Sequence, residues 1–141
     1  MLGLLVVSHG QLAEELVNAA RTIVGPLEAL EAVSIGWDDQ VGEASRGIEE
    51  AIGRLDRGQG VLVLTDMFGG TPTNLGLSLF EHGRIEIVTG VNLPMLIKFI
   101  DLRNGVDLRE AAARVAAQGR EAIQVASQLL DAGAPRGGAS A

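Results

Sequence analysis

The chain contains no cysteine. That excludes disulfides, a thiolate nucleophile and cysteine-based zinc sites, and it leaves the redox compartment undecided. Histidine is almost as scarce, with only His9 and His82, which argues against a His-rich metal centre. Positive charge is thin as well. Lys98 is the one lysine, the arginines are scattered, and the formal net charge is −7. Without a basic stripe to neutralise phosphates, nucleic acid is not an expected partner. No apolar run approaches the roughly 18 residues of a membrane span, so no direct membrane insertion is expected. Residues 1–7 are apolar but carry neither a basic leader nor a small-residue cleavage site, so a soluble, cytoplasmic protein is expected. It can still work beside a membrane through a partner. What remains is 141 residues, 47% of them hydrophobic, enough for one compact domain with a real core.

The order of the chain is an alternation. An apolar run over residues 2–8 reads as a buried strand, and a helix pattern over 11–24 follows at once. In that helix Leu12, Leu16, Ala19, Ala20 and Ile23 recur at helical spacing, and Gly25-Pro26 stops it. A weaker strand over 30–35 leads to a helix over 41–55, whose buried face is expected to hold Ala44, Ile48, Ala51, Ile52 and Leu55. Residues 61–64 form a continuous apolar strand, the pattern of a parallel sheet covered on both faces. A helix over 73–81, a strand over 84–88 and a helix over 93–102 come next, with Asn92 placed to cap the last of these. Asp107 caps a further helix over 108–117, which Gly119 is expected to interrupt. Residues 121–130 fit either a short strand or a helix, since Ile123 and Val125 alternate while Ile123, Ala126 and Leu130 suit helical spacing. The domain is therefore placed at 1–130, with a Gly-, Ala-, Pro- and Ser-rich tail over 131–141. The fold expected is a flavodoxin-like, doubly wound α/β domain with a mostly parallel sheet and flanking helices.

The chemistry-bearing residues fall at strand ends. His9, Asp38 or Asp39, Asp66 and Asn92 all follow expected strands, and parallel strands put them along one rim. If the first and third strands are neighbours where the sheet order reverses, His9 and Asp66 meet. A carboxylate accepting from one imidazole N–H fixes the tautomer, and the other nitrogen then carries an outward lone pair suited to nucleophilic attack. After Asp66, Gly69-Gly70 permits close backbone approach, Thr71 supplies a hydroxyl, and the next helix starts with outward amides. That set suits a tetrahedral dianion and describes a phosphohistidine relay. Each part has a plainer reading. Asp66 also reads as a turn cap, Gly69-Gly70 as a tight connection, Trp37 as an aromatic packed on a helix start, and His82 as a solvated helix end. No P-loop and no Gly-x-Gly-x-x-Gly fingerprint is present, and no cofactor is expected.

Three segments together resemble one family. They are Val6-Val7-Ser8-His9-Gly10, the run Thr65-Asp66-Met67-Phe68-Gly69-Gly70-Thr71-Pro72-Thr73-Asn74, and Thr89-Gly90-Val91-Asn92-Leu93-Pro94-Met95-Leu96. In that order they resemble the IIA component of the mannose-type sugar phosphotransferase system, over nearly the whole chain to about residue 130. The resemblance implies that His9 accepts phosphate from the phosphocarrier HPr through Nε2 and passes it to a histidine of a IIB component. It implies that Asp66 holds the imidazole, that Thr71 keeps a hydroxyl where the family often has serine, and that the chain is a homodimer with an exchanged C-terminal strand. Three alternatives stay open: a regulatory phosphoacceptor module, the phosphoryl donor subunit of a dihydroxyacetone kinase, and a flavodoxin-like module that binds a small ligand without a covalent step.

Overall fold

The computed structural model describes residues 1–36, 41–67, 74 and 77–133. Four parallel strands stand in the order β2-β1-β3-β4: β1 (Gly3–His9), β2 (Leu30–Ile35), β3 (Val61–Thr65) and β4 (Ile85–Thr89). The helices are α1 (Leu12–Val24), α2 (Val41–Leu55), α3 (Leu93–Leu102), α4 (Leu108–Glu121) and α5 (Ala126–Gly133). The chain winds from β1 out to β2, then returns to place β3 on the other side of β1 and continues to β4. The order thus reverses between β1 and β3, as expected for a doubly wound sheet, and the carboxyl ends at such a switch point are where open α/β sheets place their sites.

Alternation in the central strands explains the two layers. Leu4, Val6, Leu62 and Leu64 point into one core with Ala13, Val17, Phe99, Ala111 and Val115. Leu5, Val7, Val61 and Val63 point into the other with Ile48, Ile52 and Leu55. Successive strand side chains face opposite sides, so a strand apolar at every position needs helices on both. Each fully buried leucine or valine here contributes about 2 kcal/mol from loss of apolar surface to water.

Several boundaries differ from the sequence expectation, each for a physical reason. The buried stripe of α1 is Ala13, Val17 and Ala20, while Leu12 and Ile23 are exposed. Ala20 lies on the expected face, while Ala13 and Val17 are not among the residues expected there; alanine at two of three contact positions lets the helix axis approach the sheet closely. The buried face of α2 is as expected. Gly119 does not interrupt α4. It lets α3 pack close, since a Cβ at 119 would stand 2.6 Å from Met95 Sδ, and its carbonyl accepts from Asn92 Nδ2 at 3.1 Å. The helix expected over 73–81 is helical at Asn74, Leu77 and Ser78, then gives way at Leu79, and Glu81 bridges back to Ile85. Of the two readings of 121–130, the helical one holds from Ala126, and α5 runs to Gly133. Residues 122–125 form no strand. Asn92 and Asp107 cap α3 and α4 as expected, accepting from Met95 N at 3.2 Å and Glu110 N at 2.9 Å.

The amino-end pole is tied by one buried side chain. The Arg103 guanidinium donates to Leu2 O (3.0 and 2.7 Å), Glu28 O (2.9 Å) and Ala29 O (2.7 Å), and it lies over the Phe99 ring at 5.3 Å. Burial, with the nearby Arg57 charge, pulls its pKa down, against the Glu28 charge. The fork joins the start of β1, the turn before β2 and the end of α3. Arg103→Ala removes the donor to Leu2 O and Glu28 O, while Ala29 O keeps the Leu4 N–H at 3.0 Å, so chemical denaturation should show a loss of about 3 kcal/mol. Arg103→Lys should recover only part of it, because an ammonium cannot reproduce the planar fork. Unchanged stability in both variants contradicts this role.

Candidate functional site at the carboxyl ends of strands one and three

The register of the two central strands brings the site together. Val7 pairs with Thr65, so His9 lies two residues past that pair and Asp66 one. One carboxylate oxygen of Asp66, Oδ2, accepts the backbone N–H of His9 at 2.9 Å and stands 2.8 Å from the ring Nδ1. The other oxygen, Oδ1, accepts Met67 N at 2.9 Å. An ionised carboxylate only accepts, so Nδ1 carries the proton that faces it and the lone pair resides on Nε2. The pair is partly open, with the side chains 21% and 12% exposed for His9 and Asp66. Burial pushes the Asp66 carboxyl up. The hydrogen bonds from the His9 backbone and ring, the electrostatic attraction of His9 and the Met67 N–H outweigh it, and the net shift is downward.

Ser8 supplies a feature that the sequence reading did not assign. Its side chain is fully buried. The hydroxyl oxygen accepts Ala13 N at 2.6 Å and donates to His9 O at 3.1 Å. Gln11, at the N-cap position of α1, makes no side-chain cap bond, so Ser8 caps the helix from further back in the chain. The signal was present: a serine before a helix pattern is a preferred capping residue. Gly10 completes the turn with φ of +56° and donates to Ile35 O at 2.9 Å.

The remaining expected site residues divide. Asn92 lies on the same rim but serves α3 and Gly119, as described above. His82 is exposed and meets Phe80 edge-to-face, with ring centroids 4.8 Å apart. Gly69, Gly70 and Thr71, and likewise Trp37, Asp38 and Asp39, lie outside the described residues. Among the described residues no group of three or more His, Cys, Asp or Glu side chains is arranged to hold a metal ion, and no helix is long and apolar enough to cross a membrane.

A doubly wound sheet with a paired histidine and aspartate at its switch point defines a class: an α/β domain with its candidate site at the carboxyl ends of the central strands. The comparisons narrow it. Residues 3–116 match the family model described as "PTS system fructose IIA component". The fructose-specific EIIA component of Bacillus subtilis is 28% identical over 132 residues, which are 93% of this chain and 90% of that protein. The mannose-specific EIIAB component of Escherichia coli K12 is 30% identical over 130 residues, 87% of this chain but only 39% of that longer protein. Among solved structures, the IIA protein associated with the fucose utilization operon of Streptococcus pneumoniae superposes with a TM-score of 0.81 at 28% identity, over 92% of this chain and 96% of that one. The chain belongs to the mannose-type EIIA family, the phosphotransfer components of sugar phosphotransferase systems.

The downward shift of Asp66 makes a stability prediction. A carboxyl whose folded pKa lies below its ordinary 3.8 stabilises the fold above that value, and the contribution is lost as pH falls through the folded pKa. Thermal melts of Asp66→Asn should therefore show a deficit against the wild type near neutral pH that shrinks once the pH drops below the ordinary carboxyl range. A deficit that stays constant down to strongly acid pH contradicts the pairing.

Proposed function

We propose that His9 is the phosphoryl acceptor of this domain, taking phosphate from HPr on Nε2 and passing it to a histidine of a IIB component. The observation that carries the reading is the double contact of Asp66 Oδ2 with His9, at 2.9 Å to the backbone and 2.8 Å to Nδ1. The Nε2 electron pair forms the new N–P bond as the donor's N–P bond breaks and its pair returns to the donor ring. The proton stays on Nδ1. Positive character gained by the His9 ring is offset by the adjacent carboxylate, the same logic by which a buried aspartate supports a catalytic imidazole elsewhere. The second transfer reverses these changes.

Gly69, Gly70 and Thr71 are proposed to receive the phosphoryl oxygens, with backbone amides and one hydroxyl in place of a metal or a basic side chain. The family match favours a sugar phosphotransferase system over a dihydroxyacetone kinase subunit. We place the chain in the cytoplasm, as one domain over 1–130, delivering phosphate toward a membrane permease through IIB. A homodimer is part of the proposal. β4 is an edge strand of the sheet, beside it lies a groove of about 420 Å³ lined in part by Ile87, Met95 and Ile123, and Ile123 and Leu130 are 74% and 72% exposed. A second copy's C-terminal segment would cover that apolar surface.

Incubation with enzyme I, HPr and phosphoenolpyruvate should add one phosphoryl group to the intact mass of the wild type, lost again in mild acid. His9→Ala should gain none. Asp66→Ala should fold and take up phosphate about a hundredfold more slowly, in line with losing an orienting partner. Labelling of His9→Ala overturns the acceptor assignment, and a wild-type rate in Asp66→Ala removes the role given to that carboxylate.

A further inference from the structure

We propose that Ser8 is a positioning residue for His9: its buried hydroxyl closes the turn that carries the imidazole and so fixes the direction in which Nε2 meets a phosphoryl donor. The inference rests on the reading of His9 as acceptor and adds a residue to which that reading gives no part.

A hydroxyl with no access to solvent must find its partners inside the protein, or it costs free energy. Ser8 is 0% exposed and uses both capacities of its hydroxyl, accepting from Ala13 N and donating to His9 O. These two bonds span the turn. Residues 9–12 leave the strand and enter α1 around a single oxygen atom.

The backbone of His9 is therefore held on both sides by side chains. Its N–H donates to Asp66 Oδ2 on one side, and its carbonyl accepts from Ser8 Oγ on the other. The next amide, of Gly10, is anchored to Ile35 O on β2. Three strands thus locate the His9 Cα, and the Nδ1 contact with Asp66 then sets the ring about that fixed point. Transfer between two imidazoles requires the attacking nitrogen, phosphorus and leaving nitrogen in line, and a displacement on the order of 1 Å costs about a hundredfold in rate. Asp66 holds Nδ1 only while the His9 backbone stays in place. Ser8 fixes the backbone from which the ring projects.

A purely structural cap makes a different forecast. In that case Ser8→Ala lowers the melting temperature, yet the folded protein transfers phosphate normally and the ring is unchanged. The test uses the full chain with Ser8→Ala and Ser8→Thr. Phosphoryl uptake from phospho-HPr should fall about tenfold to a hundredfold in kcat for Ser8→Ala, with KM for the donor unchanged. Nitrogen-15 spectra of the His9 ring should pass from the single Nδ1–H tautomer of the wild type to an average of two. Ser8→Thr keeps the hydroxyl on a side chain suited to a strand and should restore both readouts. If Ser8→Ala does not fold, Ser8→Cys, a weaker donor and acceptor of similar size, should give an intermediate rate and a partly averaged ring. Wild-type kcat with an unchanged tautomer in folded Ser8→Ala, or in Ser8→Cys if that variant is the one that folds, overturns the proposal. So does failure of folded Ser8→Thr to rescue. The ring spectra need no phosphate, so they report on Ser8 even where the wild type takes up no label, and that result would sink the acceptor reading instead.

Discussion

One carboxylate oxygen that receives two N–H groups from the same histidine is the constraint on which the site depends. A single ring contact would leave the imidazole free to swing about the backbone. A single backbone contact would leave the tautomer unset. Together they tie the residue to the third strand and determine the nitrogen on which the lone pair resides. The arrangement requires β1 and β3 to be adjacent, parallel and in register, with Val7 opposite Thr65. A slip of one residue would turn the side chains of β3 to the opposite face and carry Asp66 away from His9. The two apolar cores enforce that register, because Leu62 and Leu64 belong to one and Val61 and Val63 to the other.

The two poles of the sheet divide the work. At the amino ends, Arg103 spends its donors on backbone carbonyls and ties β1, the turn before β2 and the end of α3 into one block. At the carboxyl ends the polar groups stay nearer the surface, and the His9–Asp66 pair remains partly open to solvent. The proposed relay needs both properties, since an acceptor at His9 has to be reachable by two partners in turn and hold its geometry between them. A rigid base beneath an accessible rim supplies both.

Much of this was legible in the sequence because it rests on strong local signals. The apolar runs at 4–7 and 61–64 identify central strands, and the residues that end them point to the rim. The pairing of His9 with Asp66 followed once the sheet order was assumed to reverse between those strands, and the observed order does so. Other features were hidden because they depend on packing distance. The inward face of α1 includes Ala13, which hydrophobic counting ranks below Leu12 and Ile23. Gly119 reads as a breaker by propensity, but the contact with Met95 requires it inside a continuous helix. The two hydrogen bonds of Ser8 were only half legible: a serine before a helix pattern suggests a cap, but the bond to His9 O does not follow from that signal.

The central claim is that Asp66 occupies Nδ1 and thereby directs chemistry to Nε2. It is tested most directly on the phosphorylated protein itself, by two-dimensional nitrogen-15 spectra of the His9 ring that identify which nitrogen couples to phosphorus. The account predicts the N–P bond on Nε2, with Nδ1 still protonated against the carboxylate. Phosphorus bound to Nδ1 would contradict it.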